Sequence, residues 1–167
     1  MSTADDTGKP ALVRIAEHLQ RHGVEFLVIG GQAAALLGSP HPTYDVDLCY
    51  KRDPGNLQRL AAALLEVHPT LRGAPADLPF RADAKTLALG SNFTFDTDLG
   101  PLDLLGWVEP LGAYEDIAPR AARVRLDATS LDDLIRIKRH LGRAKDRLDL
   151  LQLEAIQRLQ ERDPRES

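Results

Sequence analysis

The apolar residues of the N-terminal third recur first at helical and then at strand spacing. Over residues 11–22 they return every three or four positions, which is typical of an amphipathic helix. Residues 24–29 form an apolar run with β-branched members and predict a buried strand. The short apolar segment 32–37 predicts a helix that ends at a Gly-Ser-Pro sequence, and residues 45–50 predict a second strand. The pattern therefore predicts alternating helices and strands.

The rest of the chain combines short strands with longer helices. Pro54 lies in the first turn of a predicted helix, and residues 67–84, with three prolines and a glycine, predict an irregular connection. The pattern then predicts short strands at residues 86–89, 93–96, 102–105 and, at a sheet edge, 124–126. Two helices follow, one capped by Ser130 and broken at Gly142, and one over residues 144–162.

This order of elements predicts an α/β (α+β) fold, in which a small mixed β-sheet is flanked by helices and followed by C-terminal helices. The 167 residues suffice for one domain with a substantial core. We expect a single domain over residues 10–162, with a helical part at residues 130–162. It would lie between a disordered tail at residues 1–9 and a short tail at residues 163–167.

Charge and cysteine content narrow the classes of function. The formal net charge of −4 argues against a generally basic nucleic-acid-binding surface. The single cysteine, Cys49, excludes an internal disulfide and any zinc cluster built from cysteines, as expected in a reducing compartment. The polar N-terminus is not typical of a signal peptide, and no apolar run approaches the roughly 20 residues that span a membrane. We therefore expect a cytoplasmic protein.

Carboxylates in the predicted strands are the first candidates for chemistry. Asp45 and Asp47 are two residues apart, so they project from the same face of a strand. Two such carboxylates repel each other unless a cation lies between them, although a strand that simply ends in solvated acids is the alternative. Asp103 is a lone acid in an apolar strand and could complete a site for Mg²⁺ or Mn²⁺. Its alternative role is that of a buried polar residue satisfied by backbone donors.

A glycine pair precedes these acids at a strand-to-helix junction. Gly30 and Gly31 lack side chains, so backbone N–H groups there can approach an anion, and Gln32 begins the following helix. A phosphate-binding turn next to a metal-binding carboxylate pair is what phosphoryl transfer requires.

The combined pattern resembles the nucleotidyltransferase superfamily related to DNA polymerase β. The shared features are a strand, a Gly-Gly turn, a short Ala-rich helix and then Thr43-x-Asp45-x-Asp47. Most similar are the bacterial nucleotidyltransferase-like proteins of toxin–antitoxin modules, including the AbiEii-type toxins of abortive infection. The resemblance implies that the glycine turn holds a nucleoside triphosphate (NTP), that Asp45 and Asp47 bind Mg²⁺, and that Asp103 completes the set.

A second segment supports this resemblance. Its residues Lys138, Arg143, Lys145 and Asp146 match a Lys-x-x-x-x-Arg-x-Lys-Asp element found in the AbiEii-like group. The resemblance implies that Lys138 and Lys145 contact nucleotide phosphates or the acceptor, with Arg143 as a further candidate, and that Asp146 orders the helix junction or acts near the site. The alternative is a solvated corner between two helices with Arg–Asp pairs.

The charge distribution bears on the same segment. Residues 120–147 hold nine Lys or Arg and four Asp, a net charge of +5, which would suit an NTP or an RNA acceptor. One departure from the family pattern is His41, which stands where relatives often have arginine. A phosphate contact from His41 would be weaker, or His41 caps the turn instead.

We therefore expect a Mg²⁺-dependent nucleotidyltransferase that moves an NMP group from an NTP such as ATP to a hydroxyl of tRNA, a protein or a small molecule. The resemblance implies a toxin–antitoxin or phage-defence role with a cognate partner protein, and the leucines of the last helix belong to the core or to a homodimer face. The alternative is a catalytically degenerate regulatory or antitoxin subunit that binds nucleotide or a partner. A metal-dependent phosphohydrolase is less well supported, because no histidine cluster accompanies the carboxylates.

Overall fold

Seven strands and seven α-helices make up the part of the chain that the computed structural model describes, residues 8–41, 43–124 and 126–162. The strands are β1 Phe26–Ile29, β2 Val46–Tyr50, β3 Thr70–Leu71, β4 Asn92–Thr97, β5 Gly100–Leu105, β6 Ala122–Arg123 and β7 Asp127–Ala128. The helices are α1 Ala11–Arg21, α2 Gly30–Leu36, α3 Pro54–Leu65, α4 Ala84–Leu89, α5 Tyr114–Ile117, α6 Leu131–Leu141 and α7 Ala144–Arg162. A 3₁₀ turn, Ala118–Arg120, follows α5.

The strands form one mixed sheet in the order β3-β4-β5-β2-β1-β7-β6. The central strand β2 is antiparallel to β1 and parallel to β5. Asp47 is the register partner of Ile29 on one side and of Asp103 on the other. The fold class expected from the sequence, a mixed sheet flanked by helices, is confirmed. Asp47 therefore lies near the start of a central strand, and Asp45 directly precedes that strand.

The two faces of this sheet carry separate apolar clusters, because alternate residues of each strand point to opposite sides. On the larger side, Val28, Leu48 and Leu104 pack under leucines and isoleucines of α1, α3 and α6. The smaller cluster contains Leu27, Ile29, Cys49, Val108, Leu111 and Ile117. Asp47 and Asp103 alternate with residues of the larger cluster, so they project from the side of the smaller one.

Side-chain caps fix the helix boundaries that the sequence predicted. The Asp53 carboxylate accepts a hydrogen bond from the Asn56 N–H at 3.0 Å, with Pro54 in the first turn of α3. Ser130 caps α6 in the same way, accepting from the Asp133 N–H at 3.3 Å. Gly142 ends α6 with a φ of 61°, a left-handed conformation that favours glycine.

The prediction of a strand at residues 86–89 is wrong, because these residues belong to α4. The Asp83 carboxylate accepts from the Thr86 N–H at 2.8 Å and starts a helical turn. Only one apolar side chain of this turn is core: Leu87 is fully buried, whereas Leu89 is 81% exposed. A local cap therefore outweighs the strand preference of the short apolar run.

Other connections also differ from the sequence prediction. The edge strand expected at residues 124–126 is instead the bend between β6 and β7, with Arg125 outside the described residues. The irregular connection at 67–84 contains the short strand β3. Residues 1–7 and 163–167 of the expected tails also lie outside the described residues, whereas Lys9 forms an ion pair with Glu17 at 2.9 Å.

Within the described ranges, we find no helix that is both long enough and apolar enough to cross a membrane.

Candidate active site

Two carboxylates face each other at the centre of the sheet. Asp47 on β2 and Asp103 on β5 are register partners on parallel neighbouring strands, so their side chains leave the same face side by side. Both are partly buried, whereas Asp45, just before β2, is exposed. The structure thus brings Asp103, distant in sequence, next to the Asp45-x-Asp47 pair.

The pKa of Asp47 is raised to about 6. Burial is the largest cause, followed by the negative charges of Asp103 and Asp45. A divalent cation between the carboxylates would relieve both effects, and oxygen ligands are those that Mg²⁺ prefers. The donor set therefore fits a Mg²⁺ or Mn²⁺ ion, with Asp45, Asp47 and Asp103 as the residues that would hold it.

The site also contains an arginine that the sequence pattern did not indicate. The guanidinium of Arg72, which directly follows β3, lies 3.1 Å from the Asp103 carboxylate. It is held there by Asp96 at 3.2 Å and by the Phe95 carbonyl, which accepts from Nη2 at 2.9 Å. Arg72 belongs to a proline-rich segment without periodicity, so nothing in the local sequence pointed to the acids. One positive charge is thus already built in beside Asp103.

The glycine turn separates the carboxylates from the loop that follows α2. Gly30 has a φ of 65°, and a side chain there would collide with the Asp47 carboxylate. A Cβ at Gly31 would lie 2.8 Å from the Thr43 hydroxyl. Gln32 donates from its side chain to the Thr43 carbonyl at 3.3 Å. The absence of side chains at Gly30 and Gly31 therefore lets α2 start directly between Asp47 and Thr43.

A pocket of about 270 Å³ opens on the Thr43 side of this turn. Its lining includes Gly31, His41, Thr43, Lys138 and Lys145. The structure thus gathers the lysines of the C-terminal element and the turn residues around one cavity. Lys145 is exposed and has no carboxylate within 4.0 Å among the described residues. Its ammonium group is available to an anion in the pocket.

Lys138 is more firmly held than Lys145. Its ammonium donates to Asp146 at 3.1 Å and to Asp149 at 2.7 Å, and its side chain is 19% exposed. His41 is exposed at the pocket rim, and its backbone N–H donates to the Ser39 hydroxyl at 3.4 Å. Lys145 and His41 are therefore the exposed side chains of this lining, and Lys138 is the one held by acids.

The junction of α6 and α7 is organised by one buried acid. Asp146 is 1% exposed and accepts from the Arg143 side chain at 2.6 Å and from the Arg143 backbone N–H at 3.2 Å. The hydrogen bonds from Arg143 and the ammonium of Lys138 hold the pKa of Asp146 well below its usual range. Arg143 and Asp146 thus connect the two helices and fix Lys138 at the pocket.

Acids neutralise much of the basic segment predicted at residues 120–147. Arg120 and Arg136 both contact the buried carboxylate of Asp133, at 3.0 and 3.1 Å. Arg139 contacts Glu154 at 2.8 Å. These three arginines are therefore balanced by acids, whereas Lys145 at the pocket is not balanced within the described part of the chain.

A second group of potential metal ligands lies on α1 and at the end of α3. One ligand atom each from His18, His22 and Glu66 lies within 4.8 Å of the others. Among the described residues, this is the one group of three such side chains gathered so closely, and the three aspartates are more widely spaced. The sequence signal was available: histidines four residues apart on a helix share a face.

Comparison with known proteins bears on the fold. No family model matches the chain, and no curated protein sequence gives a significant match. Among solved structures, the chain is similar to a Thermotoga maritima protein described as a candidate nucleotidyltransferase. The match covers 83% of this chain and 87% of that one, with a TM-score of 0.52 and 17% sequence identity. The chain therefore has a nucleotidyltransferase-like fold.

Proposed function

We propose that the protein is a Mg²⁺-dependent nucleotidyltransferase that moves an NMP group from an NTP to a hydroxyl acceptor. The observation that supports this most is the placement of Asp47 and Asp103 as register partners beside Gly30, in a fold of the nucleotidyltransferase type. At the start of α2, the turn without side chains therefore has the carboxylates on one side and the lysine-lined pocket on the other.

The pocket accounts for binding of the triphosphate in this proposal. Lys145 and Lys138 would neutralise phosphate oxygens, and backbone N–H groups of Gly31 and Gln32 would approach them because no side chain blocks the turn. Thr43 and His41 would contact the same phosphates from the opposite wall. The carboxylates of Asp45, Asp47 and Asp103 would hold Mg²⁺ or Mn²⁺, which when bound neutralises charge on the triphosphate.

The transfer itself needs a base near the acceptor. The acceptor oxygen forms a bond to the α-phosphorus while the bond from that phosphorus to the bridging oxygen breaks, and pyrophosphate leaves. The hydroxyl proton passes to a carboxylate, and Asp103 is the residue we assign to this role. Arg72 contacts Asp103 at 3.1 Å and orients it.

The acceptor and biological setting rest on the resemblance to the AbiEii-type proteins. We propose a hydroxyl of tRNA or of a protein as the acceptor class, and a cytoplasmic role in a toxin–antitoxin or phage-defence system with a cognate partner. The small size of the pocket, about 270 Å³, fits a nucleotide portion rather than a whole acceptor, which would then dock from outside.

A labelling assay tests the reaction. The protein is incubated with Mg²⁺, each of the four α-labelled NTPs, total tRNA and cell lysate. We expect the wild type to transfer label and Asp47→Asn to transfer none. The control Asp77→Asn changes an exposed loop acid outside β2 and β5, and it should transfer label like the wild type. Transfer that is unchanged in Asp47→Asn would contradict the proposed site.

One observation favours a second candidate, a nucleotide-binding regulatory subunit without transfer activity. Arg72 already neutralises Asp103, in the place where a cation would bind. Saturable NTP binding that requires Lys145, with no label transfer in either the wild type or Arg72→Ala, would support this alternative. Recovery or increase of transfer in Arg72→Ala would show instead that the arginine restrains an otherwise competent site.

A further inference from the structure

A group of three potential ligands lies on the side of the sheet opposite to the aspartates. His18 is in α1, His22 is the residue that caps its C-terminus, and Glu66 caps the C-terminus of α3. One ring nitrogen from each histidine and one Glu66 carboxylate oxygen lie within 4.8 Å of one another. Both helices pack on the larger apolar cluster, so this group is separate from the candidate active site.

Hydrogen bonds fix which ring nitrogens are free to coordinate. The Ala63 carbonyl, 2.7 Å from Nε2 of His18, can only accept, so this nitrogen carries the proton. The His18 carbonyl likewise accepts from Nδ1 of His22 at 3.0 Å. Nδ1 of His18 therefore keeps its lone pair, whereas Nε2 of His22 faces the Glu66 carboxylate, and a metal bound there would take the place of its proton. In a metal-bound histidine, the ring nitrogen that does not bind the metal usually donates its hydrogen to an acceptor such as a carbonyl.

Each of the two candidate ligand nitrogens already has a partner in the structure. A metal would displace one partner and bind the other. Nε2 of His22 lies 3.0 Å from the Glu66 carboxylate, so an imidazole and an acid already meet at this point. Nδ1 of His18 accepts from the Arg21 guanidinium at 3.4 Å. Arg21 is exposed and can move to solvent, whereas His18 is 7% exposed and held in place.

The ends of two helices also favour a cation, against the positive charge of the nearby Arg21. α1 and α3 both end at this group, so the negative ends of two helix dipoles meet there, and Glu66 adds a full negative charge. Tetrahedral zinc ligands lie roughly 3.3 Å apart when the bonds are about 2.0 Å. Zinc binding therefore requires the ligand atoms to move closer together. The exposed Glu66 side chain and the partly exposed ring of His22 can make this movement.

We propose that His18, His22 and Glu66 form a zinc site that ties the C-terminal end of α1 to that of α3. Two imidazoles and one carboxylate leave the fourth position of the ion to water. Such a ligand set selects zinc and similar transition metals over Mg²⁺, which prefers oxygen ligands. The site is distinct in position and in metal preference from the aspartates.

Zinc titration of the full-length, chelator-treated protein tests the site, with isothermal calorimetry for affinity and Co²⁺ absorption for coordination geometry. We expect one Zn²⁺ per chain in millimolar Mg²⁺. Affinity should fall by more than about 10-fold in His22→Gln and in Glu66→Gln, since losing even an outer-shell partner typically weakens binding by about 10- to 100-fold. These two positions are preferred to the buried His18, whose loss could impair folding.

Two controls separate this proposal from the proposed function. His68→Gln changes an exposed histidine outside the group, and Asp45→Asn/Asp47→Asn changes the aspartates. Both should retain zinc affinity and the tetrahedral Co²⁺ spectrum. Absence of zinc binding by the folded wild type, binding unaffected by His22→Gln, or binding lost in the aspartate variant would each overturn the zinc site. None of these results depends on label transfer.

Discussion

Asp47 illustrates a conflict between stability and function within a single residue. Its carboxylate is partly buried next to Asp103, which disfavours the charged form, yet a metal-binding role requires that charge. Residues placed in this way cost stability in the absence of their ligand. The cost has a defined pH dependence, because it exists only when the carboxylate is ionised.

We predict that Asp47→Asn stabilises the protein in EDTA above about pH 6 and has little effect below about pH 4. The pKa of Asp47 is about 6 in the folded state against 3.8 as its ordinary value, so the folded state binds more protons between these pH values. Stability of the wild type therefore falls as pH rises through this range. The gain at pH 7 should be on the order of 1–3 kcal/mol, at about 1.4 kcal/mol per pKa unit.

Urea unfolding followed by circular dichroism from pH 4 to pH 8 measures this difference. Asp77→Asn, on an exposed loop, is the control and should leave the profile unchanged. If Asp47→Asn and the wild type are equally stable across the whole pH range, the Asp47 carboxylate is solvated and its charge is not destabilised by Asp103.

At this scale the sequence predicted part of the candidate site. Asp45, Asp47 and the glycine pair lie within one short stretch of the chain, so strand alternation and turn chemistry are enough to associate them. Asp103 was chosen as a lone acid in an apolar strand, and the register places it beside Asp47. Arg72 reaches Asp103 through a sheet order that no local pattern encodes. Glu66 meets His22 in the same way, through the packing of two helices.

Among the elements, the corner between α6 and α7 carries the lysines of the pocket. Asp146 is buried there with Arg143 and Lys138 as partners, so the angle between the helices and the position of Lys138 depend on one carboxylate. The sequence predicted both helices and the break at Gly142, because caps and a left-handed glycine are local signals. It could not decide whether the charges at this corner were solvated or buried.

We predict that Asp146→Asn lowers the free energy of unfolding at pH 7 by about 1–3 kcal/mol, the usual worth of hydrogen bonds to a charged group. Because the folded-state pKa of Asp146 is depressed, its contribution is present above the ordinary pKa near 3.8 and is lost as pH falls below it. In urea titrations, the difference in unfolding free energy between the wild type and Asp146→Asn should therefore become smaller between pH 4 and pH 2.

Asp132→Asn provides the matched control for this corner. Asp132 lies on the same helix α6 but is exposed, and an asparagine there still accepts from Gln157, which donates to it at 2.6 Å. Its stability should follow the wild type at every pH. If Asp146→Asn is still as much less stable than the wild type at pH 2 as at pH 7, Asp146 stabilises the corner through its shape and not through its charge.

At the scale of the whole molecule, Cys49 reports on global unfolding. It is 0% exposed at the centre of β2, and burial raises the pKa of its thiol to about 12. We predict that Ellman's reagent at pH 8 labels the native protein only through unfolding, so the labelling rate should rise with urea in parallel with the unfolding equilibrium. Cys49→Ser/Ala76→Cys, with a thiol on an exposed loop, should react at once.

Fast labelling of Cys49 in native buffer, with an unchanged circular dichroism spectrum, would contradict this prediction. It would show that the segment covering the smaller apolar cluster, which includes Val108, Leu111 and Ile117, opens independently of the sheet. The sequence did not predict α5, which contributes Ile117 to this cover.

The parallel pairing of β2 with β5 has a consequence for the order in which the chain assembles. β1, α2 and β2 are neighbours in sequence, so they close short loops and can associate early. β5 joins β2 only after the long connection over residues 51–99, a slower closure with a larger loss of chain entropy. A partly folded chain in which only β1, α2 and β2 have associated therefore contains the glycine turn and Asp47 without Asp103 beside them. Under the proposed function, the three carboxylates come together only when this late closure is complete.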